Sequence, residues 1–268
     1  MNHAAMKHAA KPVSKKSAKA PPPRLTLSDT MRELERAGSA QTCKTYARHG
    51  ATGPMFGVSF ATLKALTKRI NVDHELALAL WDTGNFDARN LAVKIVDPLR
   101  MTPADLDRWV RESSTARICG GYVAMLAAEG PHAAAKSAQW LNSQDEKERI
   151  AGWTLLGQLA QRDATSPDAV FEKRLAGIER TIHAAPNLER EVMNRTVIAI
   201  GCRNAALRKA ALAAAKRIGQ VEVDHGTTAC KTPDAVEYIE KAWSHAKAKG
   251  FESPAAQERK REVPRRRC

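Results

Sequence analysis

Helix start and stop signals recur along nearly the whole chain, and almost nothing between them alternates as a strand would. Ser28-Asp29 precedes Met31–Ala37, closed by Gly38, and Ser39 opens a second helix that ends near Gly50. Ser59 stands before Phe60–Ile70, where Phe60, Leu63, Leu66 and Ile70 share one helical face. Asp73 opens His74–Trp81, Thr83-Gly84 stops it, and Phe86–Val96 ends before Pro98. In Thr102-Pro103 the proline occupies the first turn of Ala104–Arg111, the one helical position where its missing N–H costs nothing. Further helices are expected at 114–128, Pro131–Leu141, Asp145–Gln161, Pro167–His183, Leu188–Ile200, Asn204–Ile218 and Pro233–Ala246. Gly53–Val58 is the longer non-helical link, and Val221–Asp224 is a short strand candidate without a partner.

Helices this short cannot each bury a face alone. Pairs recurring about every 30–45 residues bury their faces by stacking, so the expected fold is all-α: a helical-repeat superhelix, or α-solenoid. An irregular helical bundle is the alternative that periodicity leaves open.

Charge divides the chain of 268 residues, whose formal net charge is +14. Residues 1–24 hold six Lys/Arg and no acid, and 247–268 hold eight against Glu252, Glu258 and Glu262. The body, 25–246, is only mildly basic. The expected organisation is therefore a disordered basic N-terminal arm (1–24), a helical-repeat domain (25–246) and a disordered basic C-terminal tail (247–268). Arms of that composition attract phosphate without reading sequence, because neutralising each phosphate releases counterions.

Other function classes fall away quickly. No apolar run approaches the roughly 18 residues of a bilayer-crossing helix, and the start lacks the apolar core of a secretory signal. Cys43, Cys119, Cys202, Cys230 and Cys268 are scattered and odd in number, which argues against a disulfide scaffold or a Cys-x-x-Cys zinc site. A reducing cytoplasm is the expected compartment. Asp224, His225 and Cys230 lack a fourth ligand and paired spacing, so no metal and no cofactor is expected; Asp224 reads as a turn cap. Phosphate-loop, serine-hydrolase and zinc-protease motifs are missing.

Three stretches, with two shorter ones, carry a resemblance. They are Tyr46-Ala-Arg-His-Gly50 with Gly53-Pro-Met-Phe-Gly57-Val-Ser-Phe60, then Ile150-Ala-Gly-Trp153, then Met193-Asn-Arg-Thr-Val-Ile-Ala-Ile-Gly201. Val223-Asp-His-Gly226 and Cys230-Lys-Thr-Pro233 follow in order. Together they resemble the DNA alkylation repair family, the AlkD-like HEAT-repeat proteins, over roughly residues 28–245. The resemblance implies HEAT-like helix pairs in a superhelix whose concave basic face holds duplex DNA. It also implies excision of cationic N3- and N7-alkylated purines, in which a carboxylate supports the developing oxocarbenium charge and tryptophans contact sugar and lesion.

The carry-over of that chemistry meets different residues here. The family's Asp position falls at Gly120 and its Trp position at Ala116, with a second Trp position near Arg195. The Arg that often precedes Ala-Gly-Trp is Ile150, with Arg149 displaced. Losing carboxylate and indole removes what separates transition state from ground state.

The expected DNA contacts are Arg89, Lys94, Arg117, Arg149, Arg190 and Arg195, all on second helices of successive pairs, joined by Asn194. Tyr122, next to the glycine pair, is placed to meet a sugar, and Trp153 either packs or faces the groove. Trp81, Trp109, Trp140 and Trp243 read as core. Asp105, Asp107 and Glu112 are the replacement acids on offer. The leading expectation is a monomeric protein that binds double-stranded DNA by its phosphate backbone, with the usual catalytic positions lost. An alkylpurine DNA glycosylase with a divergent site, and a protein-binding scaffold, are the alternatives.

Overall fold

A computed structural model of the chain describes residues 24–113 and 120–267. The described residues hold fourteen α-helices and no strand; one isolated bridge pairs Gly38 with Val58. The helices are α1 (Leu27–Arg36), α2 (Ala40–Arg48), α3 (Phe60–Ile70), α4 (His74–Asp82), α5 (Phe86–Ile95), α6 (Pro103–Glu112) and α7 (Gly121–Ala127). There follow α8 (Ala133–Trp140), α9 (Glu146–Arg162), α10 (Asp168–Thr181), α11 (Asn187–Gly201), α12 (Ala205–Ile218), α13 (Ala235–Ala248) and α14 (Pro254–Arg259).

Their starts lie where short polar side chains can take an orphan N–H. Ser39, Ser59, Asp73, Thr102, Asp145 and Asn204 each accept from the backbone two or three residues into the helix they open. The first helix begins earlier than its spacing predicts, because Thr26 rather than Ser28 is the cap. Val221–Asp224 forms no strand. Of the helix expected over 114–128, residues 114–119 lie outside the described residues, as does most of the expected N-terminal arm.

The helices form two layers. In one, α3 meets α5, α5 meets α7, α7 meets α9, α9 meets α11 and α11 meets α13. The other consists of α4, α6, α8, α10 and α12, of which only α10 and α12 touch as extensively. A stack whose inner helices crowd while its outer ones spread curves toward the inner layer. One continuous apolar core fills the space between, from Leu34 to Ile239.

The non-helical link is pinned by one buried carboxylate. Asp87, on α5, accepts from the backbone N–H groups of Phe56 (2.7 Å), Gly57 (3.0 Å) and Val58 (2.8 Å). Gly57 has φ +79°, and a Cβ there would lie 2.3 Å from the Ser39 carbonyl, so only glycine fits. The Tyr46 hydroxyl donates to the Val58 carbonyl, and burial pushes that phenol up to about 12. The first family-like stretch is thus a loop clasp.

One expectation is corrected here. Residues 247–267 are not a loose tail: α13 runs to Ala248, α14 packs on α9 and α13, and a 3-10 turn at Arg265–Arg267 sits on α5 and α7. Arg266 is buried; its Nη1 donates to the Val93 carbonyl at 2.6 Å and its Nη2 pairs with Glu129 at 3.0 Å. Charge composition alone suggested a solvated tail, but a guanidinium that finds a carboxylate and a helix-end carbonyl can be buried.

Two outcomes follow for stability, both read by chemical denaturation. Asp87→Ala leaves three backbone donors without an acceptor and should cost about 3 kcal/mol. Arg266→Ala strips Glu129 of its closest partner and should cost about 3 kcal/mol as well.

Candidate nucleic-acid interface

The seam between α9 and α11 is built from the other family-like stretches. Trp153 is buried and donates its indole N–H to Glu189 at 3.1 Å; Arg149 donates to the same carboxylate at 2.9 Å. Thr196 donates to the Trp153 carbonyl at 2.8 Å. Behind Trp153, Gly152 lets α8 close in, since a Cβ there would lie 2.8 Å from the Leu141 nitrogen.

Above this seam a groove of about 320 Å³ crosses α7, α9 and α11. Gly121 and Met125 line it from α7, Thr154 and Gln158 from α9, and Glu191 and Arg195 from α11. His49 and Cys230 also line it. Its described lining contains no Trp, Tyr or Phe. Arg195 keeps its side chain 65% exposed while its Nη2 donates to Glu191 at 2.8 Å.

The expected DNA contacts mostly lie elsewhere. Lys94 is 1% exposed, with its Nζ on the Arg266 carbonyl at 2.6 Å and over the Tyr122 ring at 4.4 Å. Asn194 is buried and donates to the Pro233 carbonyl at 2.9 Å. Burial takes Lys94, Asn194 and Trp153 out of reach of a DNA backbone. Arg89 donates to the Trp81 and Glu112 carbonyls at 3.1 and 2.6 Å. Arg149 also donates to the Gln144 carbonyl at 2.8 Å, and Arg190 to those of Ala185 and Glu222, each at 2.9 Å. These guanidinium groups are spent on carbonyls at helix ends and connecting loops. Arg117 lies outside the described residues, as do Ala116 and Cys119. Arg195 alone, of the described cations in that set, lines the groove.

The glycine pair also resolves. Gly120, where the resemblance puts the family's Asp, is buried, and its neighbour Gly121 lines the groove. The proposed replacement acids sit in the outer layer on α6. Asp107 accepts from Lys136 and Trp140, each at 2.7 Å. Burial raises its carboxyl's pKa, but those bonds outweigh it and hold the group below the ordinary range. Glu112 binds Trp81 and Arg89, and Asp105 takes the Thr102 hydroxyl. The carboxylate that does line the groove, Glu191, was missed; its i,i+4 spacing to Arg195 was the available signal.

No described helix is long and apolar enough to cross a membrane. Asp224 accepts the Gly226 N–H at 2.7 Å, as a turn cap does, and His225 pairs with Thr232 at 3.0 Å.

With this geometry in view, the model of the family described as DNA alkylation repair enzymes matches residues 30–239. The chain belongs to the DNA alkylation repair family. An uncharacterised protein of Listeria monocytogenes is 28% identical over 230 residues, 83% of this chain and all of that one. Another from Listeria innocua is 28% identical over 225 residues, 81% of this chain and 97% of that one. Among solved structures, a protein described as belonging to a family related to the HEAT-like repeat DNA glycosylases, with affinity for branched DNA structures, is 30% identical. Its TM-score is 0.76, over 86% of this chain and 98% of that one. The stacked pairs are HEAT-like repeats.

The two classes of arginine should separate by denaturation. Arg149→Ala leaves Glu189 buried with one partner fewer and should cost about 2 kcal/mol. Arg195→Ala removes an exposed guanidinium from a buried Glu191 that keeps another contact, and should cost less, about 1 kcal/mol.

Proposed function

We propose that this protein binds DNA through the groove over α7, α9 and α11, prefers branched DNA to plain duplex, and does not excise bases. The observation that carries the reading is the groove's lining: an exposed guanidinium, small and polar side chains, and no indole in its described part. A glycosylase for cationic purines needs charge stabilisation prearranged at the sugar. Here the carboxylate present, Glu191, is held by Arg195, and Gly120, where the resemblance puts the family's Asp, carries no acid. Backbone binding needs only a cation and space, and the exposed Arg195 guanidinium and the open groove supply them. The preference for branches rests on the structural relative with that affinity.

Binding occurs as a monomer, without cofactor or metal. Phosphate contacts dominate, so affinity falls with salt and varies little with sequence.

Fluorescence anisotropy with a plain duplex and a four-way junction, across a salt series, tests this. The junction should bind more tightly, and Arg195→Glu should weaken both about tenfold. Cys230, exposed at the groove, should be shielded from a maleimide by bound DNA; Cys202, whose thiol burial pushes up to about 12, should not react at all. Single-turnover assays on N7-alkylguanine DNA should release no base above the uncatalysed rate. Steady release that Glu191→Gln abolishes would reinstate the glycosylase, with Glu191 as its acid.

A further inference from the structure

Beside the groove lies a second hollow, of about 580 Å³, between α13 and the C-terminal segment. One wall is a stripe on α13: Tyr238, Lys241, His245 and Lys249, spaced three or four residues apart and therefore on one helical face. All four are exposed, and Tyr238 keeps 54% of its surface in solvent. The opposite wall carries Arg261 and Arg265, 39% and 51% exposed. A single carboxylate, Glu258, sits between the walls, and it is already engaged by both arginines at 3.2 and 2.6 Å. Gln161 lines this hollow and the groove alike, so the two are neighbours.

The C-terminal segment is held in place by contacts that have nothing to do with a ligand. Ala255 donates to the Cys202 carbonyl at 3.0 Å, and Arg266 is buried against α5 and α7. The hollow's cationic wall is therefore preformed, and its ordering entropy is already spent.

We propose that this hollow is a second nucleic-acid site, which takes a single-stranded DNA arm leaving the groove. The lysines and arginines contact the strand's phosphates, and Tyr238 stacks on one unpaired base. Phosphate alone would be served by the cations. The exposed tyrosine among them selects an unpaired base, because a base within duplex has both faces covered by its neighbours. Adjacency to the groove, through the shared Gln161, selects DNA over an acidic protein as the partner. The inference rests on the groove binding DNA and supplies a physical reason for preferring a branch: two sites, each modest, act on one molecule with a high effective concentration.

The test compares a blunt duplex with the same duplex carrying a single-stranded arm, titrated by anisotropy against the full chain. The variant is Tyr238→Ala with Lys241→Ala and Lys249→Ala, all surface changes, with folding checked by circular dichroism. Relative to wild type it should bind armed DNA about tenfold more weakly and blunt duplex within about twofold. Its salt slope on armed DNA should fall by between one and two, as expected for two lost phosphate contacts. Tyr238→Phe alone should bind as wild type does, since the stacking face remains. Unchanged affinity for armed DNA, equal loss on both DNAs, or displacement of armed DNA by polyglutamate but not by a single strand would each overturn the proposal while the groove reading stood. Failure of the wild type to bind either DNA would bring down both.

Discussion

A stack of short helices leaves many helix ends, and each C-terminus has carbonyls without a partner in its own helix. That constraint shapes this protein more than any other. Arg203 shows the solution most fully: its Nη1 donates to the Leu159, Ala160 and Asp163 carbonyls where α9 ends, and its Nη2 to Ser166 at 2.7 Å. Arg89 serves the ends of α4 and α6, and Arg266 that of α5. The guanidinium suits the task because its donors form a rigid fork and stay charged when partly buried. An abundance of arginine is thus as much an architectural requirement of the repeat as a sign of a polyanionic partner.

Aromatic side chains do the corresponding work between neighbouring helices of each layer. Trp81 and Trp109 stack with ring centroids 4.1 Å apart and planes within 2°. The indole N–H groups of Trp81, Trp140 and Trp153 each find a carboxylate: Glu112, Asp107 and Glu189. The buried Trp109 N–H has no such partner, but each of the three acids in turn takes a cation, so tryptophan, acid and base recur as a unit across successive seams. These units consume the acids that might otherwise have supported chemistry.

What remains for a ligand is the part of the inner face that these units do not occupy. It is open and mixed in polarity, and its one guanidinium, Arg195, is exposed, which on the proposed reading meets a polyanion. Catalysis by preorganised charge needs a fixed carboxylate facing a cationic sugar. In this chain the groove's carboxylate is neutralised by a neighbour four residues on. The basic hollow beside α13 lies next to the groove, sharing Gln161 with it, and the folded C-terminal segment supplies the hollow's second wall.

The helical class and nearly every helix start were legible in the chain, because caps and prolines act within one turn and need no distant partner. The order of the family-like stretches was legible too, and so was the position of the clasp at Gly53–Val58. The roles of the cations were not. Arg149 and Arg195 look alike in sequence, yet one faces Glu189 across a seam and the other faces solvent. Lys94 gives no local sign that a carbonyl from residue 266 will cover it, since that contact spans 172 positions. The hidden Asn194 and the docking of residues 254–267 have the same origin. Local chemistry sets which segments become helices; which face of each helix is left for a ligand depends on what packs against the others, and only the tertiary fold decides that.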